Sequence, residues 1–198
     1  MAKKAESTLI NMVLVLTIIA VVSAAALAMI NHATEGPISD AKKAKTEAAI
    51  KQVLPEFASL KDQKVMLDGD KDSTKCNLAY DAQDNMVGVA VESSTEKGFN
   101  GHLGVMVGFD TEGNITGYNV LETTETPGLG SKADQWFQKD GKGNVIGMNP
   151  ESNNISVKKD GGDVDAITAA TISSRAFCDA INRAYKAFQI VKGGTDNE

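Results

Sequence analysis

The sequence predicts an α+β protein in which a single N-terminal transmembrane helix is followed by an antiparallel-sheet domain with flanking helices. Three observations lead to this prediction. An uncharged run extends from Leu9 to Ile30, strand-like segments follow one another from Met86 onward, and apolar residues recur at helical spacing near the C-terminus. Strands that cluster between an N-terminal and a C-terminal helix are typical of α+β domains.

The composition limits the possible functions. The chain has 198 residues, enough for one ordinary domain and an anchor. It carries 20 Lys and Arg against 26 Asp and Glu, a net charge of −6, which argues against nucleic acid as a partner because phosphate binding needs a basic face. His32 and His102 are isolated, so no metal site is predicted. Cys76 and Cys178 could form a disulfide outside the cytoplasm, but two buried thiols are the favoured interpretation.

The run from Leu9 to Ile30 is long enough to cross a membrane once. As a helix its roughly 22 residues span about 33 Å, against a hydrocarbon core of about 30 Å. A cleaved signal peptide is the alternative, because Ala26-Leu27-Ala28 resembles a cleavage site. The retained anchor is favoured since the apolar run continues past that site.

Charges beside the anchor predict its orientation. Lys3 and Lys4 favour a cytoplasmic segment 1–8 and an extracytoplasmic remainder, although Lys42, Lys43 and Lys45 on the far side weaken that inference. Residues 9–30 are then the transmembrane anchor, 31–85 a helical stalk with a connecting segment, and 86–198 the main domain.

The connecting segment contains one helix and one turn. Ser39 to Leu54 is amphipathic and predicts a helix that Pro55 closes. Asp68 to Asp72 is similar to a calcium loop, but Ser73 and Ala79 stand where that loop requires Gly and a bidentate Glu. We interpret this stretch as a solvated turn.

The main domain begins with strands. A turn at Asp110 to Asn114 between two apolar segments indicates a β-hairpin. The predicted core strands are Met86 to Val91, Leu103 to Phe109 and Ile115 to Leu121, and the predicted edge strands are Val145 to Met148 and Ile155 to Val157.

A helix of roughly 18 residues is predicted at the C-terminal end, where Ile172, Ala176, Ala180, Ala184 and Phe188 recur at helical spacing. The hydroxyl residues from Thr168 to Ser174 mark its start. The first N–H groups of a helix lack partners within it and the helix dipole is positive there, so a phosphate could bind. In the simplest interpretation, Thr168 or Thr171 only caps the helix.

The same stretch resembles a known signature. Asp165, Thr168, Ala169, Ala170 and Thr171 look like the flavinylation motif of FMN-carrying extracytoplasmic domains. The resemblance implies that Thr171 carries FMN through a phosphoester, attached by a flavin transferase that takes FMN from FAD. A dedicated transferase is expected because an alkyl hydroxyl is a weak nucleophile. Ala169 stands where the family usually has Gly, and its methyl group is tolerated only if φ is negative.

A second stretch, Thr126 to Gly130, supports the resemblance. Pro127-Gly128 predicts a rigid turn, and the glycines permit close approach of the backbone. The stretch lacks the endings of a phosphate loop or a dinucleotide fingerprint. With Glu125 in front, the sequence Glu-Thr-Pro-Gly-Leu-Gly is similar to the loop that flanks the flavin in the same family.

Nearly the whole chain resembles the G subunit of the Rnf electron-transport complex. Residues carried over from that family are Thr171 as the covalent FMN site, Thr168, Ala170 and Ser173 near the phosphate, and Thr126, Pro127, Gly128, Leu129 and Gly130 beside the isoalloxazine. The resemblance rests on the anchor, Gly98 to Gly101, Val105 to Asp110, Val120 to Glu122, Glu125 to Gly130, Lys159 to Gly162 and Asp165 to Arg175.

The resemblance implies a redox subunit that is not a complete enzyme by itself. It would carry electrons within a complex that couples electron transfer between ferredoxin and NAD to ion translocation. Its partners would be the other membrane subunits, and its domain would face the periplasm from the bacterial inner membrane. The alternatives are the flavin-carrying C subunit of the sodium-pumping NADH:quinone oxidoreductase and a membrane-tethered envelope binding domain without flavin.

Overall fold

The computed structural model describes residues 8–67 and 73–195. Lys3, Lys4, most of the predicted segment 1–8 and the predicted turn at Asp68 to Asp72 lie outside these residues. The helices and strands are α1 (Leu9–Val53), β1 (Ser59–Val65), β2 (Thr74–Tyr80), β3 (Met86–Gly98), β4 (Gly101–Phe109), β5 (Ile115–Thr123), α2 (Ala133–Trp136) and α3 (Thr171–Thr195).

The chain divides into two compact units, residues 1–44 and 45–198. The described part of the first unit is helical, and its large apolar side chains are exposed, including Leu9, Leu16 and Ile30. Helix α1 is long and apolar enough to cross a membrane. It includes Pro37, although a proline inside a helix removes one backbone hydrogen bond.

The second unit is built on a five-stranded antiparallel sheet in the order β1-β2-β3-β4-β5. Each strand is adjacent to its neighbours in sequence, so short turns suffice to connect them. The predicted α+β class is confirmed, and the hairpin turn at Asp110 to Asn114 lies between β4 and β5, where the Asp110 amide donates to the Asn114 carbonyl at 3.0 Å.

Helix α3 covers one face of the sheet. Val89 and Val91 on β3 and Val105 and Val107 on β4 belong to the same buried cluster as the α3 side chains, because alternate residues of a strand point to the same face. The α3 members of the cluster include Phe177, Ile181 and Phe188. The helix has 25 residues instead of the roughly 18 predicted.

The C-terminal end of α1 covers the other face. Ile50, Val53 and Leu54 pack there against small or slender side chains such as Ala90 and Met106. The predicted amphipathic helix that ends before Pro55 is therefore part of α1 and contributes to a second core.

Strands β1 and β2 have no counterpart in the prediction. Strand β1 is polar and exposed along almost its whole length, as is common for an edge strand. Strand β2 buries Cys76 and Leu78 against the α3 side, an alternation that the sequence already contains.

The two predicted edge strands were wrong. Val145, Ile155 and Val157 are buried, but the backbone around them forms turns. Gly147 has φ +84°, which interrupts an extended chain. Ile155 to Val157 contributes only one isolated bridge, between Val157 and Val164.

The favoured interpretation of the cysteines is confirmed. Cys76 and Cys178 are both free and buried. Burial raises the pKa of each thiol to about 12, because the thiolate is poorly solvated in an apolar core.

Candidate functional site

The loop in front of α3 is fixed by Ser174. Its Oγ donates to the Ala170 carbonyl at 2.9 Å and accepts from the Ile167 amide, also at 2.9 Å. The Ala170 amide donates to the Ile167 carbonyl at 3.0 Å. Ser174 is fully buried, so these bonds define the turn that places Thr171 as the first residue of α3.

Ala169, inside this turn, has a left-handed backbone with φ +61°. From the sequence, alanine was expected to be tolerated at this position only with a negative φ, and the observed φ is positive. A left-handed conformation costs an L-residue roughly 1–2 kcal/mol. The turn therefore has the shape that suits the glycine of the flavinylation motif, and the alanine adopts it under strain.

Asp165, the first residue of the motif, is held on two sides. Its carbonyl accepts from Trp136 Nε1 at 2.9 Å, and its carboxylate pairs with Lys158 Nζ at 2.7 Å. A Cβ on Gly143 would lie 2.5 Å from the same carbonyl. The indole and the glycine thus fix the backbone from which the motif begins.

Glu125 joins the Thr126 to Gly130 loop to the neighbouring elements. Its carboxylate is buried and accepts from the Phe99 amide at 2.8 Å. A Cβ on Gly130 would lie 2.6 Å from Glu125 Oε2 and 2.5 Å from Ser173 Oγ. A side chain at position 130 would displace the Glu125 carboxylate or the Ser173 hydroxyl, so glycine is what lets the loop approach both groups closely.

The structure therefore brings the two informative stretches of the sequence together. Gly130 and Ser173 are both buried and in contact, while Thr171 is half-buried and Thr168 is exposed. Ala170 is buried, Thr126 is half-buried, and Pro127, Gly128 and Leu129 are exposed.

Three large apolar side chains are exposed on segments that Glu125 connects. Phe99 is 65% exposed, Leu129 41% and Ile172 46%. Phe99 lies in the β3–β4 turn, whose Asn100 also donates to Thr126 Oγ1 at 3.2 Å. Such side chains offer apolar contact area to a flat ring, as expected beside a flavin.

Glu125 and Arg175 lie in sequence motifs that resemble the family, but no individual role could be assigned to them or to Asp160 from the sequence. Arg175 binds the Asp160 carboxylate through two nitrogens, Nε at 2.6 Å and an Nη at 2.7 Å. Hydrogen bonding from Arg175 lowers the pKa of Asp160, and the same hydrogen bond raises the pKa of Arg175. The sequence feature that could have pointed to Arg175 is its spacing, since it follows Thr171 by four residues and so lies one helical turn further along.

Both members of this pair border an open cleft of about 400 Å³ along α3. Its lining includes the apolar side chains of Ile172 and Cys178 and the charged side chains of Lys97 and Asp179. Lys97 Nζ and Asp179 are themselves paired at 2.7 Å. The cleft lies on the α3 face that also contains Arg175.

The site can hold a phosphate ester. It presents a half-buried threonine hydroxyl at a helix start, where the macrodipole favours negative charge, and a cationic side chain one turn further along. The loop beside it combines close backbone packing at Gly130 with exposed apolar side chains. These features fit a cofactor that has a phosphate at one end and an aromatic ring at the other.

The chain is similar in sequence to several known proteins. Residues 98–186 match the model of the FMN-binding domain family. The G subunit of the ion-translocating oxidoreductase complex of Vibrio vulnificus is 33% identical, over 85% of this chain and 83% of its own. The G subunit of the Na⁺-translocating ferredoxin:NAD⁺ oxidoreductase complex of Acetobacterium woodii is 28% identical, over 89% of both chains. The crystal structure of Shewanella oneidensis NqrC aligns with a TM-score of 0.47 and 19% identity, over 69% of this chain and 70% of that one.

Proposed function

The chain belongs to the family formed by the G subunits of ion-translocating oxidoreductase complexes, and we propose that it carries its FMN as a phosphoester on Thr171. It is an FMN-binding electron-transfer subunit of a membrane complex that couples oxidoreduction to ion translocation. The flavin supplies the electron-transfer chemistry, and the protein binds, orients and shields it.

The observation that carries the proposal is the position of Thr171. It is the first residue of α3, it is half-buried, and the turn before it is fixed by the buried Ser174 hydroxyl. A phosphodiester on its Oγ would lie at the positive end of a 25-residue helix. Thr168, Ala170 and Ser173 are the proposed neighbours of the phosphate.

The proposed neighbour of the isoalloxazine is the loop formed by Thr126, Pro127, Gly128, Leu129 and Gly130. Leu129 gives this loop an exposed apolar side chain, and Gly130 holds it against Ser173. Phe99 and Ile172 are two further exposed apolar side chains, on the turn that Glu125 binds and beside Ser173 on α3. An aromatic ring placed there would keep one edge open toward a neighbouring subunit.

Attachment is assigned to a flavin transferase. The threonine oxygen attacks the FMN phosphorus of FAD, the new O–P bond replaces the pyrophosphate bond, AMP leaves, and the hydroxyl proton is released. The remaining proposed partners are the other membrane subunits of the Rnf complex.

We also propose how the chain is arranged in the membrane. Residues 9–30 form a single span and residues 1–8 remain in the cytoplasm. The predicted connecting segment 31–85 also supplies β1 and β2 to the sheet, so the FMN-binding domain on the periplasmic side of the inner membrane comprises these strands together with residues 86–198. A retained covalent cofactor suits this location, since a dissociated FMN could not be replaced from the cytoplasm.

Mass spectrometry of the protein co-expressed with the transferase tests the attachment. We expect an FMN phosphoester adduct on the peptide that contains Thr171. Thr171→Val has nearly the same shape and should abolish the adduct, whereas Thr171→Ser keeps the hydroxyl and should retain it. An unmodified wild-type peptide under these conditions would favour the membrane-tethered binding domain without flavin. An adduct on another residue would show that Thr171 is not the attachment site.

A further inference from the structure

The ion pair between Arg175 and Asp160 is exposed to solvent and should contribute little to the stability of the fold. The Arg175 side chain is 47% exposed and that of Asp160 38% exposed, and exposed ion pairs contribute little because solvent screens them. The pair nevertheless has bidentate geometry and lies next to the turn that presents Thr171.

Helix geometry directs the Arg175 side chain toward Thr171. Residues four apart lie on the same helix face with Cβ atoms about 5–6 Å apart. Helical side chains also tilt toward the N-terminus, so a long side chain covers the turn before its own Cα. The Arg175 side chain is therefore long enough to reach the first turn of α3, in which Thr171 is the first residue.

A guanidinium group binds a carboxylate and a phosphate with the same planar fork of N–H donors. Esterification of Thr171 adds a phosphodiester, which is singly negative at every physiological pH. Two neighbouring lysines are already engaged: Lys158 pairs with Asp165 and Lys97 with Asp179. Lys159 and Asp163 are the other charged groups of the 158–165 segment, and Lys159 lies close enough to help lower the pKa of Asp160.

We propose that Arg175 is a second anchor of the cofactor: Asp160 holds its guanidinium beside Thr171 before flavinylation, and the phosphodiester takes over that guanidinium afterwards. The inference rests on the proposed attachment at Thr171. Asp160 is a placeholder that fixes the arginine in position and then competes with the phosphodiester. Because the pair borders an open cleft, the guanidinium can turn without disturbing the packed core.

The test measures how much flavinylation stabilises the full-length protein. Melting temperatures are compared for the protein made with and without the transferase, in detergent, at low and high salt. In wild type we expect a higher melting temperature on flavinylation and a smaller gain at high salt. Arg175→Gln should lose most of the gain and its salt dependence, and Arg175→Lys should keep part of it because a point charge replaces the fork.

Asp160→Asn should change the gain in the direction opposite to Arg175→Gln. Removing the competing carboxylate should make the gain larger than in wild type, whereas loss of a purely structural ion pair would lower the melting temperature with and without FMN alike and leave the gain of both variants at the wild-type value. Lys186→Gln is the matched control, because it removes an exposed cation from the same helix about 22 Å from Thr171 along the axis. Its gain should equal that of wild type.

Phosphorus NMR gives a direct second readout. The phosphodiester resonance should shift between wild type and Arg175→Gln but not between wild type and Lys186→Gln. If Arg175→Gln is flavinylated with a wild-type gain and resonance, the second anchor is refuted while the attachment stands. If Arg175→Gln is not flavinylated, the gains of Arg175→Lys and Asp160→Asn are compared with that of wild type instead. A reduced gain in the first and a larger gain in the second support the anchor, and wild-type gains in both refute it. If wild type itself has no FMN on Thr171 by mass, both proposals are overturned.

Discussion

Ala169 adopts a backbone conformation that favours glycine, two residues before the helix that begins with Thr171. Its φ of +61° is one of two positive values among the non-glycine residues that the structure describes. Strain of this kind persists where the surrounding structure determines the backbone. Here the Ser174 hydroxyl bonds determine it, since they connect Ile167 and Ala170 on either side.

Ala169→Gly should therefore stabilise the protein. Relief of the left-handed strain is worth roughly 1–2 kcal/mol, and the greater entropy of glycine in the unfolded chain offsets roughly 0.5–1 kcal/mol of it. We expect a net gain of about 0.5–1 kcal/mol in the free energy of unfolding, measured by urea denaturation with an unchanged slope.

Ala170→Gly is the matched control for that substitution. Ala170 is the next residue and its φ is not positive, so glycine relieves no strain there. It brings the entropic cost of about 0.5–1 kcal/mol and also removes a buried methyl group, so the free energy of unfolding should fall. If Ala169→Gly lowered the urea midpoint as Ala170→Gly does, the turn would not be strained.

The candidate site was only partly predictable at the level of single residues. Thr171 and the Gly130 loop could be found because both belong to contiguous sequence patterns. Glu125 and Asp160 act through partners 26 and 15 positions away in the chain, Phe99 and Arg175 respectively. No local pattern encodes such a pairing, because it depends on how the strands and turns bring the segments together.

Among the secondary-structure elements, helix α3 is connected to β3 by the carboxylate of Asp179. Asp179 accepts from Thr95 Oγ1 at 2.8 Å and from Lys97 Nζ at 2.7 Å. Burial alone would raise the pKa of Asp179, but the hydrogen bonds from Lys97 and Thr95 outweigh it and lower the pKa. The helix that presents Thr171 is thereby fixed to the sheet near its N-terminal end.

This link should weaken in acid. A lowered folded-state pKa means that Asp179 contributes stability above its unfolded pKa of about 3.9, and that the contribution disappears as pH falls through the folded value. Asp179→Asn should cost on the order of 1 kcal/mol at neutral pH, since the group is partly solvated. The difference in unfolding free energy between the two proteins should shrink below about pH 4.

Chemical denaturation across pH checks this expectation. The exposed Asp140, changed to Asn, controls for the loss of a carboxylate elsewhere in the domain. A difference between wild type and Asp179→Asn that stayed constant down to the lowest pH would mean that the carboxylate does not titrate with a lowered pKa.

Predictability at the element level followed the strength of the periodic signal. Helix α3 and the β4–β5 hairpin were found because their apolar residues repeat regularly around buried positions. Strand β1 was missed because its register depends on pairing with β2 at the edge of the sheet, and its residues remain largely exposed. Val145 and Ile155 were assigned to strands because they are apolar, yet buried side chains can also be supplied by turns.

The 45–198 unit as a whole has two separate cores on a single sheet. The larger core lies under α3, and the smaller one lies under the end of α1, where Val53 approaches the backbone at Gly108. Thr116 Oγ1 also donates to the Val53 carbonyl. The C-terminal end of α1, from about Ala49 to Val53, is therefore part of the folded domain, and a truncation that removed Ile50 and Val53 would open the smaller core.

The proposed orientation of the chain in the membrane can be tested by cysteine labelling. Cys76 and Cys178 are buried with pKa values raised to about 12, so the native protein should not react with a maleimide near neutral pH. A new cysteine at an exposed position is then the sole target. Lys139→Cys lies in an exposed turn, and Ser7→Cys lies before the anchor.

In spheroplasts, a membrane-impermeant maleimide should label Lys139→Cys at once and Ser7→Cys only after detergent is added. Positive residues are retained on the cytoplasmic side during insertion, which is the physical basis of this expectation. The reverse labelling pattern would contradict the periplasmic assignment. Mature protein that lacks the Ser7→Cys thiol altogether would indicate a cleaved signal peptide, in which case complex assembly could not rely on the 9–30 segment and would depend on contacts of the folded domain.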